Sequence, residues 1–228
     1  MSKPKKIINV LSIDGGGIRG VVSAEILVYV EKRLQELTNS NIRISQHFDL
    51  IVGTSTGGIL TCIYVCPDEN GNPKYSAVDA SNLYLDNGDK IFKKEFWYRL
   101  RTGFGLFGPR FRSNNMELLF DKYFGETKIS ESITNIMLTS VNTIDNNIYL
   151  FKSYKGYDDP KHDFKIKEAA RSTSAAPTYF SSNKIMLGDQ EMSLIDGGMA
   201  INNPSVSSYI EAKKLFPKST KINLLSVG

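Results

Sequence analysis

Apolar, β-branched runs recur along the chain at Ile7–Ile13, Phe48–Val52, Ile136–Val141, Ile148–Phe151 and Ile222–Val227, each of strand length. Between them the apolar positions change period. Val21, Ala24, Leu27, Val28, Leu34 and Leu37 recur at helical spacing and predict one long amphipathic helix after the first run. The stretch Ile59–Val65 predicts an apolar helix directly behind the second run. Ser205–Phe216 predicts another, with Pro204 near its first turn. Strands alternating with helices argue for an α/β protein with a layered, mostly parallel sheet. No internal repeat, low-complexity tract or linker interrupts the pattern. The strongest turn cluster, PDENGNP at Pro67–Pro73, reads as a connection within one domain that takes in residues 1–228.

The ends of the first two predicted strands carry the chemistry. The first opens into DGGGIRG, in which Gly15-x-Gly17-x-x-Gly20 has the letters of a dinucleotide-binding fingerprint. A second strand ending in a ribose-binding acid should follow. Here it ends in Gly53-Thr54-Ser55, and Glu36, at about the expected distance, falls inside the first helix. The second turn, Gly53-Thr54-Ser55-Thr56-Gly57, is a G-x-S-x-G pentapeptide between a strand and a helix, the context of a nucleophile elbow. Its glycines remove Cβ atoms where strand and helix crowd together. The new helix start offers the N–H of Thr56 and a positive dipole end. With a serine nucleophile beside it, the opening loop gains a second reading: N–H groups of Gly15, Gly16 and Gly17 aimed at an oxyanion.

A serine needs a base. The chain holds two histidines, His47 and His162, and neither follows an acid in the order of an α/β-hydrolase triad. The alternative is Asp196 in SLIDGGMAINNP, a carboxylate at a strand end followed by two glycines. Alone, Asp-Gly-Gly also reads as an ordinary turn. An aspartate with its usual pKa of about 3.9 is a weak base, so burial would have to raise it.

Composition narrows the classes. With 228 residues and 41% hydrophobic content the chain can bury one good-sized core, and a net charge of +4 falls short of a nucleic-acid binder's charge density. No apolar run approaches the ~20 residues of a membrane span. The apolar run behind the basic start MSKPKKIINV is short and β-branched, and reads as a strand rather than a secretion signal. Cys62 and Cys66, four apart on one helix face, read as buried reduced thiols, without partners for a zinc site. With no Asn-x-Ser/Thr acceptor, this favours a cytoplasmic setting. The segment Lys90–Arg112 carries seven Lys or Arg against one Glu, interleaved with seven aromatic residues. It reads either as a membrane-facing flap or as a connector with core-anchoring aromatics.

Taken together, Asp14-Gly15-Gly16-Gly17-Ile18-Arg19-Gly20, Gly53-Thr54-Ser55-Thr56-Gly57, the block Ala170–Pro177 (ARSTSAAP) and Asp196-Gly197-Gly198 resemble the patatin-like phospholipases, in the family's order; KYFG at Lys122–Gly125 fits as well. The resemblance implies a lipid acyl hydrolase on a three-layer α/β/α sandwich, working with a Ser–Asp dyad and neither calcium nor another cofactor. It assigns Ser55 as nucleophile, Asp196 as base, the Gly15–Gly17 loop with Thr56 as oxyanion hole, and Arg19 as a contact for the substrate's charged end. It implies a phospholipid or related acyl-lipid substrate, met at a membrane periphery. Ala170–Pro177 resembles the family's segment close to the site, through close backbone packing or substrate contact. Family members continue beyond the strand matching Ile222–Gly228, so a chain truncated at its C-terminus is expected. The alternatives are a catalytically weak lipid-surface or storage protein, and an acyltransferase using the same residues.

Overall fold

A computed structural model describes residues 7–88 and 114–228. The basic, aromatic segment 90–112 lies outside the described residues. In chain order the described elements are β1 (Ile7–Ile13), α1 (Gly20–Thr38), α2 (Ile44–His47), β2 (Leu50–Thr54), α3 (Thr56–Val65) and α4 (Ala77–Gly88). Then come α5 (Asn114–Phe124), β3 (Asn135–Asn142), β4 (Asn147–Lys152), α6 (Ser153–Asp158), α7 (Ile166–Thr173), β5 (Asn183–Leu187), β6 (Gln190–Asp196), α8 (Ser205–Leu215) and β7 (Lys221–Val227).

Strand alternation builds two cores, one on each face of the sheet. Ile8 and Val10 of β1, Leu50 and Val52 of β2 and Met137 of β3 point to one side, where Ala212, Leu215 and Phe216 at the C-terminal end of α8 cover them. Leu11, Ile13, Ile51, Ile136 and Leu138 point to the other and join a much larger core with α1, α3, α4, α5 and α7. The result is the three-layer α/β/α arrangement expected from the sequence. α3 is apolar all round and every residue in it is buried, as its composition demands.

The sheet is mixed. β7, β1, β2 and β3 form a parallel core, and β4, β5 and β6 add antiparallel pairings. β3 positions the rest. β4 runs along one edge of β3 from Met137 to Asn142, while the other edge is shared. β2 pairs with it up to Thr54↔Thr139, and β6, arriving from the opposite direction, takes over at Asp196↔Ser140. Two strands therefore meet head to head at consecutive positions of a third. Their last residues precede or are the two candidate catalytic groups.

In two places the local pattern misleads. Leu37, counted on the apolar face of α1, is 68% exposed. Glu31 takes an inward position instead, accepting from the Ile44 N–H at 3.1 Å, the Ala77 N–H at 3.0 Å and the Arg43 guanidinium at 3.2 Å. A buried carboxylate is tolerable because donors from α2 and α4 surround it. α1 ends at Asn39, whose φ of 47° is the left-handed cap that asparagine accepts.

Candidate active site

The turn after β2 is built from close approaches. A Cβ on Gly53 would collide with the Gly57 carbonyl, and one on Gly57 would collide with the Ile13 carbonyl of β1. Both glycines of the pentapeptide are therefore demanded by space, which lets α3 start against the strand ends. Between them Ser55 takes φ 54°, ψ −120°, a conformation uncommon for any residue with a side chain and a mark of stored strain. The strain lifts the Ser55 side chain out of the turn.

Asp196 meets it. Ser55 Oγ donates to Asp196 Oδ2 at 2.6 Å, and the Gly198 N–H donates to Asp196 Oδ1 at 2.7 Å. Both residues are buried, 9% and 6% exposed. Burial holds the Asp196 pKa above the usual aspartate value, and the hydrogen bonds from Ser55 and Gly198 only partly offset it. This carboxylate ends β6, which runs antiparallel to β3 and so meets the end of β2 beside Ser55.

The block Ala170–Pro177 is a strut between the two. Thr173 Oγ1, fully buried, accepts the Ser55 N–H at 3.0 Å, and the Ala175 carbonyl accepts the Asp196 N–H at 3.0 Å. Ser174, Ala176 and Pro177 continue along the wall of the site. Sequence reading did not foresee the role of Thr173, although its place in the small-residue block marked the region.

The glycine loop sits opposite, but its three N–H groups do not act together. Gly15 donates to the Asn202 carbonyl at 3.0 Å, and Gly16 donates to Thr56 Oγ1 at 3.1 Å. These bonds pin the loop to the chain after β6 and to the start of α3. The expectation that Gly15, Gly16 and Gly17 converge is corrected accordingly. Gly17 opens a 3-10 turn and Thr56 opens α3, so their N–H groups belong to first helical turns and face no carbonyl of their own helix. Thr56 is held in turn by the buried Tyr84, whose hydroxyl donates to the Thr56 carbonyl at 2.8 Å. Asp14 lies behind the loop. Its carboxylate accepts from Asn203 at 3.0 Å, and burial outweighs that bond and raises its pKa.

These groups line a cavity of about 570 Å³. Ser55, Asp196, Gly15, Gly16, Gly17 and Thr56 form its floor; Ile59, Met116 and Phe180 form apolar walls; exposed Ile18, Arg19 and Met199 stand at its mouth. The remaining candidates lie elsewhere. His47 ends α2, at the N-terminal end of β2 and so at the opposite edge of the sheet from Ser55. His162 lies beside Tyr149, with Nδ1 3.2 Å from its hydroxyl. Cys62 and Cys66 are buried free thiols, pushed toward the neutral form by desolvation. Among the described residues, no three His, Cys, Asp or Glu side chains cluster as metal ligands, and no helix is long and apolar enough to cross a membrane.

Residues 11–206 match the family model described as patatin-like phospholipase. "Patatin-like protein 1" of Oryza sativa subsp. indica is 33% identical over 232 residues, covering 99% of this chain and 56% of its own length. "Patatin-like protein 1" of Arabidopsis thaliana is 34% identical, covering 93% of this chain and 53% of its own. "Probable inactive patatin-3-Kuras 1" of Solanum tuberosum is 35% identical, covering 92% and 56%. The chain thus spans about half the length of the curated relatives it matches. The solved structure of VipD from Legionella pneumophila overlaps 89% of this chain and 47% of its own, at 13% identity and a TM-score of 0.49. With its motifs, its matched span and relatives of this identity over almost its whole length, the chain belongs to the patatin-like phospholipase family.

Proposed function

We propose that the protein hydrolyses acyl esters of phospholipids or related lipids through a Ser55–Asp196 dyad and an acyl-enzyme. The observation that carries this reading is the 2.6 Å bond from Ser55 Oγ to a buried carboxylate on the floor of an apolar-walled cavity. Burial keeps the Asp196 carboxylate basic enough to take the serine proton as Oγ attacks the ester carbonyl. The N–H groups of Gly17 and Thr56 stabilise the tetrahedral oxyanion. Asp196 then returns the proton to the departing alcohol. Water, deprotonated by the same carboxylate, attacks the acyl-serine and releases the fatty acid. Ile59, Met116 and Phe180 take the acyl chain, and Arg19 at the mouth pairs with a headgroup phosphate.

Replacing Ser55 with Ala tests the proposal. Fatty-acid release from phospholipid and labelling by a fluorophosphonate should both vanish in Ser55→Ala; persistence of either in the variant would overturn the assignment. A second reading, a lipid-binding protein without turnover, draws on the potato relative whose name calls it inactive. It predicts that the parent protein binds lipid and is never labelled.

A further inference from the structure

The outer face of α1, together with the 3-10 turn Gly17–Arg19 before it, carries an apolar stripe that the core does not use. Ile18, Val22, Ile26 and Tyr29 follow one another at steps of four, four and three residues, and are 47%, 54%, 40% and 69% exposed. The inner face of the same helix already buries Ser23, Ala24, Leu27 and Glu31. At 100° per residue, Val22, Ile26, Tyr29 and Arg33 fall within an arc of about 60° and run for about 16 Å. Cations stand at both ends, Arg19 at one and Lys32 at the other. The acids beside the stripe are engaged: Glu25 accepts the Ser81 hydroxyl, and Glu36 pairs with Arg33 at 2.7 Å.

The near end of the stripe is the mouth of the Ser55 cavity, which Ile18 and Arg19 also line. That shared boundary selects the occupant. A protein partner seated on the whole stripe would cover the mouth, whereas a lipid layer would bring ester groups to it. An apolar ridge with a hydroxyl-bearing aromatic and flanking cations suits the headgroup boundary, where chains meet methyls and phosphates meet arginines.

We infer that α1 and the turn before it lie on a phospholipid bilayer surface through Ile18, Val22, Ile26 and Tyr29, with the cavity mouth turned toward the lipid. The orientation toward substrate rests on the acyl-hydrolase reading above; attachment to the bilayer does not. The test uses Val22→Glu/Ile26→Glu/Tyr29→Glu, which leaves every residue of the cavity in place. Flotation with phosphatidylcholine–phosphatidylserine vesicles and hydrolysis of vesicle lipid should both fall about tenfold or more. Hydrolysis of a soluble short-chain ester should stay within about twofold, which also reports intact folding. As a second measurement, Val22→Cys carries a polarity-sensitive dye, selectively because Cys62 and Cys66 are buried. Its emission should shift to the blue on adding vesicles, while a dye at Lys184→Cys on β5 should not respond.

Undiminished flotation of the triple variant, or a dye at position 22 that ignores vesicles, overturns the inference. So does a parent that fails to float but self-associates through the stripe, since the occupant is then a second copy. A parent that floats through the stripe yet hydrolyses no ester overturns the proposed activity and leaves the surface standing.

Discussion

A carboxylate that takes a proton from serine must be ionised at working pH and must gain by becoming neutral. Burial raises the Asp196 pKa above the reference value of 3.8 and so favours the neutral form, while the Ser55 and Gly198 donors favour the ionised one and limit the rise. The sign of the linkage follows. Between pH 3.8 and the raised native value, the folded protein holds more protons at this site than the unfolded chain. The stabilising contribution of Asp196 is therefore complete below about 3.8, and it is lost as pH rises through the native pKa. Above the native pKa the ionised group is a burden on folding, one that the proposed chemistry requires. Asp196→Asn is accordingly expected to lose ester hydrolysis while melting at pH 7 no lower than the parent. The acid limb of the parent's kcat/KM profile should lie above pH 3.8; a limb at or below that value, or a variant with markedly lower Tm, would show that burial does not set this pKa.

Secondary-structure elements contribute to the site mostly by holding backbone. α7 contacts no reacting atom in the proposed chemistry, yet Thr173 at its last turn accepts the N–H of the strained Ser55, and the chain just beyond accepts the N–H of Asp196. Thr173→Val keeps the shape and leaves a buried N–H unpaired, a loss of about 1–3 kcal/mol. The expected kinetic signature is a fall in kcat of about tenfold with KM nearly unchanged, restored by Thr173→Ser; a matching rise in KM would instead point to a damaged acyl pocket. Such struts explain what could and could not be read in advance. The elbow was legible because strand, glycines, serine and helix are contiguous, and β1, α1 and β7 because their apolar runs are long. The β5–β6 hairpin was visible only at its SLID end, because it alternates polar and apolar residues with much of one face exposed. Glu31 was invisible as a core residue, because its three donors come from residues 43, 44 and 77. The donors of the glycine loop were misread for the same reason: their partners, Asn202 and Thr56, lie far along the chain.

Across the whole molecule, the parallel core brings β1 and β2 to one edge, and the antiparallel β6 completes the site from the other direction. The segment after β6 then crosses that edge, where Ile201 accepts from Thr54, Asn202 from Gly15, and Asn203 donates to Asp14. It continues into α8, which covers the smaller core. The hold of α8 on the sheet includes a mostly buried ionic knot. Glu211 accepts from Lys152 of β4 at 2.7 Å and from the Tyr154 hydroxyl, and the Lys152 and Glu211 side chains are only 12% and 8% exposed. Desolvation would raise the Glu211 pKa, but the Lys152 and Tyr154 bonds prevail and lower it, so its contribution to stability is present at neutral pH and fades as pH falls through the native value. Glu211→Ala leaves the Lys152 ammonium without its carboxylate, at a cost of about 3 kcal/mol. For a chain of this size the melting temperature should drop by about 6–12 °C at pH 7. Replacing the whole knot, as Lys152→Met/Tyr154→Phe/Glu211→Leu, removes the stranded charge and hydroxyl together and should recover most of the loss. If the triple variant melts as low as Glu211→Ala, the knot holds α8 by attraction and not merely by being fully paired.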